Sequence, residues 1–329
     1  MSGLVGHDVV IAAFRAGLAS GRMHHAWLLA GPQGVGKASF AMAAARYLLA
    51  DAAGPKVAGD GLDVPEEHPI AHLIDVGSHP DLRVLERLSR PNSDEQARNI
   101  NIEQVRAIAS LLGNTPFMSP WRAVIVDALD DLERNAANAF LKMLEEPPPN
   151  TLFLLVSHAP GRLLPTIRSR CRILRFAPLA EAEMAKVIRA TVPAANDAEL
   201  AALIRVGEGA PGRALHYAGL DLAAIDRALA SFTSDGDPTN AERVRLAKAL
   251  AVKSAQPRYE AFLARVPAHV ALLARNRQGP SLAAALGVWE KARDLAGGAV
   301  RLSLDPQTTV FELAGLLATL APDHSASHG

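Results

Sequence analysis

Apolar residues at Val9, Val10, Ala13, Phe14 and Leu18 recur at helical spacing and give way at Gly21, which predicts a first helix over residues 9–18. Residues 26–30 then form an uninterrupted apolar run, followed by a glycine-rich turn and by residues 38–49 with helical character. That order reads strand, loop, helix. Further buried-strand candidates fall at residues 82–85, 123–126, 152–156 and 173–176, with helical segments at 102–112 and 135–144 between them. Apolar runs of strand length that alternate with helices predict an α/β class, a mostly parallel sheet covered on both faces.

Two stretches depart from this alternation. Residues 51–80 carry Gly54, Pro55, Gly59, Gly61, Pro65, Pro69, Gly77 and Pro80, too many breakers for a long element, and read as an inserted loop module. Beyond Pro178 the strand pattern ends, and amphipathic helices follow, punctuated by Pro193, residues 207–212, residues 236–238, Pro257, Pro267, Gly279-Pro280 and Pro306. The pattern therefore predicts an α/β domain over residues 1–177, a short helical domain over 178–235 and a longer helical domain over 236–329. Residues 324–329 are expected to fray. No repeat of fixed period is present.

Composition narrows the choice of function. The 329 residues leave room for two or three domains, and alanine abundance with 5% aromatics favours helices over an all-β sandwich. Lys plus Arg (34) balance Asp plus Glu (34), so no global basic field holds nucleic acid or membrane, and any DNA contact has to be local or shared with partners. A single cysteine, Cys171, excludes an internal disulfide and a cysteine-rich zinc site. No apolar run approaches the ~18 to 20 residues that span a bilayer. The first residues lack the basic flank, apolar core and cleavage site of a secretory signal, so a cytoplasmic location with no membrane partner is expected.

The strongest chemical signal is Gly31-Pro32-Gln33-Gly34-Val35-Gly36-Lys37, directly after a predicted strand and directly before a predicted helix. Such glycines let backbone amides approach phosphate oxygens, the helix N-terminus adds partial positive charge, and Lys37 can reach the outer phosphates of a nucleotide. The alternative is a glycine-rich connection with an exposed lysine. The position after the lysine, where this loop calls for Ser or Thr as a magnesium ligand, is Ala38, and Ser39 is turned about 100° round the helix. Water can complete a magnesium shell, so ATP and magnesium binding is expected to be weak or vestigial rather than forbidden.

Residues 123–127 form an apolar strand ending in Asp127, suited to holding magnesium through its water shell. The next position, where an ATPase carries a second acid, is Ala128. A positioned base contributes about 10² to 10⁴ in rate, so intrinsic hydrolysis is not expected. Asp130 and Asp131 lie past the strand and read as solvated turn or capping residues. Ser157, closing the apolar run at 152–156, joins the nucleotide-binding candidates. His68, His72 and His79 read as surface loop histidines and not a metal site, because Pro69 interrupts the helical spacing of the first two.

Residues 135–148, ending Leu-Glu-Glu-Pro-Pro, and the later Arg168-Ser169-Arg170-Cys171 carry a resemblance. They resemble the AAA+ subunits of the bacterial DNA polymerase III clamp loader, the delta-prime type above all. His25 to Leu28, Ser78-His79-Pro80-Asp81 and residues 209–215 support it, and the likeness runs through residues 1–220. It implies a RecA-like domain, a helical lid over residues 178–235 and a helical collar over 236–329 that joins delta and gamma or tau subunits in a ring. It further implies that the ring opens the sliding clamp and places it on primed DNA for the polymerase, with this subunit a rigid stator and gamma or tau the motors.

In that family Arg170 is a finger reaching a neighbouring subunit's ATP, where a guanidinium contributes about 10³ to 10⁵ in rate. Otherwise Arg168, Arg170 and Arg172 form a solvated basic turn. Arg213 resembles the residue that senses bound nucleotide. Many such subunits carry a four-cysteine zinc module after the phosphate-loop helix; residues 51–80 hold no cysteine, and zinc is expected to be absent. Two other readings stand beside this one. An ATP-hydrolysing motor of the same family is opposed by Ala128, and a phosphotransferase built on the phosphate loop leaves the Glu-Glu-Pro-Pro and Ser-Arg-Cys segments unexplained.

Overall fold

The computed structural model describes residues 4–88 and 97–322; the expected fraying at 324–329 lies outside the described residues. From the N-terminus run α1 (Asp8–Ala19), β1 (Ala26–Ala30), α2 (Lys37–Ala53), α3 (Pro69–Asp75), β2 (Leu82–Glu86), α4 (Ile102–Leu112), β3 (Arg122–Asp127), α5 (Arg134–Glu145), β4 (Thr151–Ser157), α6 (Pro165–Arg168) and β5 (Arg172–Arg175). The strands pair in parallel in the order β2-β3-β4-β1-β5.

The apolar runs are continuous because the central strands are covered on both faces. In β1, Trp27 and Leu29 pack with α1 and α2 on one side, around Phe14, Phe40 and Leu49. Ala26 and Leu28 face the other side, where Phe140 and Leu144 of α5 and Val105 and Ile108 of α4 cover the sheet. Alternate side chains of one strand thus feed two separate cores. The sheet's parallel direction places the C-terminal ends of β1, β3 and β4 on one edge, where Gly31, Asp127 and Ser157 stand.

Residues 51–80 form no long element of their own, as their prolines and glycines suggest, but they are not loop throughout. α2 runs on to Ala53, Pro69 opens α3 as its first residue, and Val57, Leu62, Ile70 and Ile74 are buried in the first core. Proline at a helix start loses no internal hydrogen bond, so Pro69 starts a helix rather than preventing one. The histidine reading changes with it. His68 is buried, caps α3 by accepting from the Ile70 amide at 3.2 Å, and His79 is buried with its Nδ1 accepting from the Asp81 amide at 3.1 Å. Only His72 keeps an exposed side chain, and it sits on α3 rather than a loop.

The remaining helices are α7 (Glu181–Thr191), α8 (Asp197–Gly207), α9 (Pro211–His216), α10 (Leu222–Ser234), α11 (Ala241–Leu250), α12 (Gln256–Ala274), α13 (Gly279–Ala299) and α14 (Pro306–Ala318). No described strand follows β5. The chain gathers into two compact units, one running to Val187 with Glu208–Arg213 added, the other Ile188–Gly207 with the chain from Ala214 onward. The second unit is helical around Phe232, Phe262, Val266, Val270, Leu313 and Leu317. Pro257 and Pro306 open their helices, but Pro267, expected as punctuation, lies inside α12. Val266 and Val270 are both fully buried, and that packing carries the helix across the hydrogen bond the proline cannot make. No helix among the described residues is long and apolar enough to cross a membrane.

Candidate nucleotide site and surface arginine

The glycines of the loop after β1 are demanded by their surroundings. A Cβ at Gly31 would stand 2.4 Å from the Phe176 carbonyl oxygen, and one at Gly34 would stand 2.6 Å from the Arg213 backbone nitrogen. Gly34 (φ +78) and Gly36 (φ +111) occupy the left-handed region, and Gly36 starts α2. The loop is also tied from outside. His7, buried, donates from Nε2 to the Val35 carbonyl at 2.8 Å, and the Gly212 amide donates to the Gly34 carbonyl at 2.8 Å.

Lys37 does not project into solvent. Its ammonium folds back over the loop, donating to the Gly31 carbonyl at 2.7 Å and to the Pro32 carbonyl at 2.5 Å, and the residue is 2% exposed. Burial pushes its pKa down to about 8, against the pull of Asp127 and Asp130. An anion arriving at this loop has to replace two charge-assisted hydrogen bonds before it gains one from the lysine. Ala38 and Ser39 lie exposed on the first turn of α2.

Asp127 ends β3 as expected, yet burial raises its pKa, opposed by His158 and Lys37, so the carboxyl ionises less readily than a free aspartate. Asp130 is no solvated turn residue. One carboxylate oxygen accepts from the Ser157 hydroxyl at 2.9 Å and from the Ala159 amide at 3.3 Å, and the other accepts from the His158 amide at 2.6 Å. The chain leaves β3 through a 3₁₀ turn whose Leu129 is buried, and that turn swings Asp130 against the end of β4. Asp131 is also engaged, pairing with Arg87 at 3.2 Å. Ser157, completely buried, therefore bonds a carboxylate of its own chain. His158, beside Lys37, Asp127 and Asp130, has its pKa lowered by burial. Asp130→Ala strands the Ser157 hydroxyl and two amides, and an unsatisfied buried donor costs about 1 to 3 kcal/mol, so a loss of about 2 to 4 kcal/mol is expected in urea unfolding.

Arg170 lies apart from this cluster. It follows α6 and precedes β5, and Arg172 pairs in register with Trp27 at the opposite end of β1 from Gly31. At about 3.3 Å per strand residue this separates Arg170 from its own phosphate loop by roughly 15 to 20 Å. The guanidinium is held at the surface, its side chain 35% exposed, by Glu145 at 3.0 Å and by the Thr166 carbonyl at 2.8 Å. Arg213 pairs with Glu208 at 2.6 Å and is exposed, while its backbone packs on Gly34. Lys37, Asp127 and Ser157 thus converge, Arg213 reaches the loop through its backbone, and Arg170 faces outward.

Two participants, His7 and His158, escaped the sequence reading, and a third, Asp130, was read there as a turn or capping residue. Each reaches the site through a tertiary contact that only the folded sheet creates.

Residues 6–180 match the family described as DNA polymerase III, delta subunit. The delta-prime subunit of Pseudomonas aeruginosa is 40% identical over 147 residues, covering 45% of this chain and 41% of that protein. The delta-prime subunit of Escherichia coli is 35% identical over 215 residues, covering 63% of this chain and 57% of that one. The chain therefore spans about half the length of the curated relatives it matches. The tau subunit of Escherichia coli is similar too, 31% identical over 171 residues, covering 51% of this chain and 24% of that one. Among solved structures, a gamma subunit-related protein of Thermotoga maritima aligns over 93% of this chain and 98% of its own at 16% identity and a TM-score of 0.49, too loose to carry an argument. With the family match taking in more than half of the residues, the chain belongs to the DNA polymerase III delta-prime family of clamp-loader subunits.

Proposed function

We propose that this chain is a non-motor subunit of a DNA polymerase III clamp loader, a stator that supplies Arg170 to the nucleotide site of a neighbouring subunit. The observation that carries the non-motor reading is the loop closed on itself: Lys37 is spent on the Gly31 and Pro32 carbonyls. The two positions where a motor needs oxygen, 38 and 128, carry methyl groups. If ATP and magnesium bind, the loop amides, Lys37 and Asp127 would hold them; nothing at position 128 can take a proton from an attacking water. Arg170, too far from its own loop, suits a target outside the chain. Its tie to Glu145 is a surface pair worth about 0 to 1 kcal/mol, light enough to be exchanged for a phosphate oxygen.

In this reading the helical second unit joins delta and gamma or tau subunits in the ring, and through them the chain acts on the sliding clamp, primed DNA and polymerase, in the cytoplasm and without zinc. The test is reconstitution. The purified chain is expected to enter a complex with delta and gamma or tau subunits, and to turn over no ATP above background alone. Failure to enter the complex overturns the proposal.

A motor reading draws on the retained Lys37 and Asp127. Turnover by the isolated chain that Lys37→Ala abolishes would establish it. Where ATP does bind, affinity is expected to fall as pH rises through about 8, because the free-state ammonium loses its proton there and an ordinary lysine keeps it to pH ~10. Calorimetric titration at pH 7 and pH 9 checks this, with a change of less than twofold counting against it.

A further inference from the structure

Glu145 stands where helix stability alone would not put an acid. It is the last residue of α5, Glu146 caps the same end, and Lys142 is the basic residue of the last turn. The C-terminal end of a helix carries partial negative charge, so the dipole of α5 opposes a carboxylate there. What Glu145 has instead is a contact with the segment before β5: its Oε1 lies 3.0 Å from Nη2 of Arg170. The neighbouring arginines are occupied differently. Arg168 donates to the Pro160 carbonyl at 3.3 Å, and the Arg172 guanidinium lies 4.6 Å from the centre of the Trp27 ring. Of the three, Arg170 is the one that faces a carboxylate.

The backbone around Arg170 is fixed without this pair. Ile167 is buried, the Arg170 amide donates to its carbonyl at 3.1 Å, and the Cys171 thiol donates to the same carbonyl at 3.1 Å. The contact therefore decides only where the guanidinium is held. Nη1 donates to the Thr166 carbonyl at 2.8 Å and lies 3.5 Å from the Ser169 hydroxyl. A guanidinium grips a phosphate bidentately through two parallel N–H groups, either Nη1 with Nη2 or Nε with Nη2. Both forks use Nη2. While Glu145 stands there, an arriving phosphate meets a carboxylate of its own sign, and the pair has to open before either fork can close. Opening it is easy. Side chains 35% and 42% exposed make a surface pair, which biases an equilibrium by no more than about fivefold.

We infer that Glu145 is a catch: it holds Arg170 on its own chain until a nucleotide phosphate on the neighbouring subunit displaces it. The inference rests on the proposed reading of Arg170 as a finger and adds the residue that restrains it. A catch this weak acts on the idle ring, where guanidinium and phosphate meet only part of the time, because there it shifts the population of freed arginine. Once clamp and DNA bring the ring to full turnover, the phosphate outcompetes the carboxylate and the catch has little left to oppose.

The experiment measures ATP turnover by the reconstituted loader, with and without sliding clamp and primed DNA, for the wild-type chain, Glu145→Gln, Arg170→Ala and the double variant, and follows ring assembly separately. Glutamine keeps the size of the side chain and removes its charge. Glu145→Gln is expected to raise unstimulated turnover by up to about fivefold at the site Arg170 serves, about 1.3-fold or more for the whole ring, and to leave stimulated turnover nearly level. In the Arg170→Ala background it should do nothing. Where Arg170→Ala lowers the stimulated rate but Glu145→Gln leaves the unstimulated rate level, this inference alone is overturned. A fall with Glu145→Gln overturns it in favour of a residue that presents the arginine, and a rise that persists without Arg170 overturns it as well. Glu145→Asp, which draws the carboxylate back by one methylene, should give a smaller rise; if neither variant joins the ring, Glu145 serves assembly and the catch is rejected. Arg170→Ala without effect on the stimulated rate brings down the finger reading, and this inference with it.

Discussion

Arg170→Ala is expected to lower the clamp- and DNA-stimulated ATP turnover of the reconstituted loader several-fold while leaving ring formation intact. A guanidinium delivered from outside stabilises charge chiefly in the transition state, so its removal costs rate more than it costs assembly. At the one site it serves the loss should approach 10³, on the order of an arginine finger's contribution. Other subunits carry sites of their own, which makes the loss for the whole ring partial. Arg170→Lys should rescue poorly, because an ammonium keeps the charge without the planar fork that matches phosphate oxygens. Unchanged turnover at equal ring occupancy leaves Arg170 as a surface charge paired with Glu145.

A second large effect is structural. Gly31→Val places its Cβ where only 2.4 Å separates it from the Phe176 carbonyl and 3.0 Å from the Phe176 Cβ. Neither atom can step aside cheaply. The Phe176 amide bonds the Ala30 carbonyl at 2.8 Å, and the ring packs edge-on against His7 and Phe40. Accommodating the side chain means parting the extension of β5 from β1, at a cost of about 3 kcal/mol or more. The urea midpoint should fall accordingly. A loss under about 1 kcal/mol would mean that the phosphate loop is held less firmly than the contacts imply.

These effects show where the sequence was legible. The five strands and the longer helices between them, α2, α4 and α5, were readable because continuous apolar runs have few alternatives when helices alternate with them, whereas the short α3 and α6 were not. The loop, Lys37 and Asp127 were readable because their chemistry is tied to fixed spacing along one strand and one turn. The insert was not, since proline and glycine counts report broken elements and say nothing about burial: Val57, Leu62 and Ile70 enter the core through short segments that no period reveals. Asp130 was misread for a related reason. A pair of aspartates after a strand looks like a turn in one dimension, and only the neighbouring β4 supplies the Ser157 hydroxyl and the amides that bury it. Lys37 was read as the last residue of the loop and is the first of α2, and its retreat onto the loop carbonyls depends on backbone geometry that the motif does not specify.

The central claim is that this chain's own phosphate loop does not drive the ring. Steady-state ATP turnover and clamp loading by the reconstituted loader, with Lys37→Ala in this chain and every other subunit wild type, test it most directly. Rates within about twofold of the wild-type ring are expected, because the lysine already serves the loop itself and no base stands at position 128. A fall of tenfold or more at equal ring occupancy would contradict the account and make this subunit a motor.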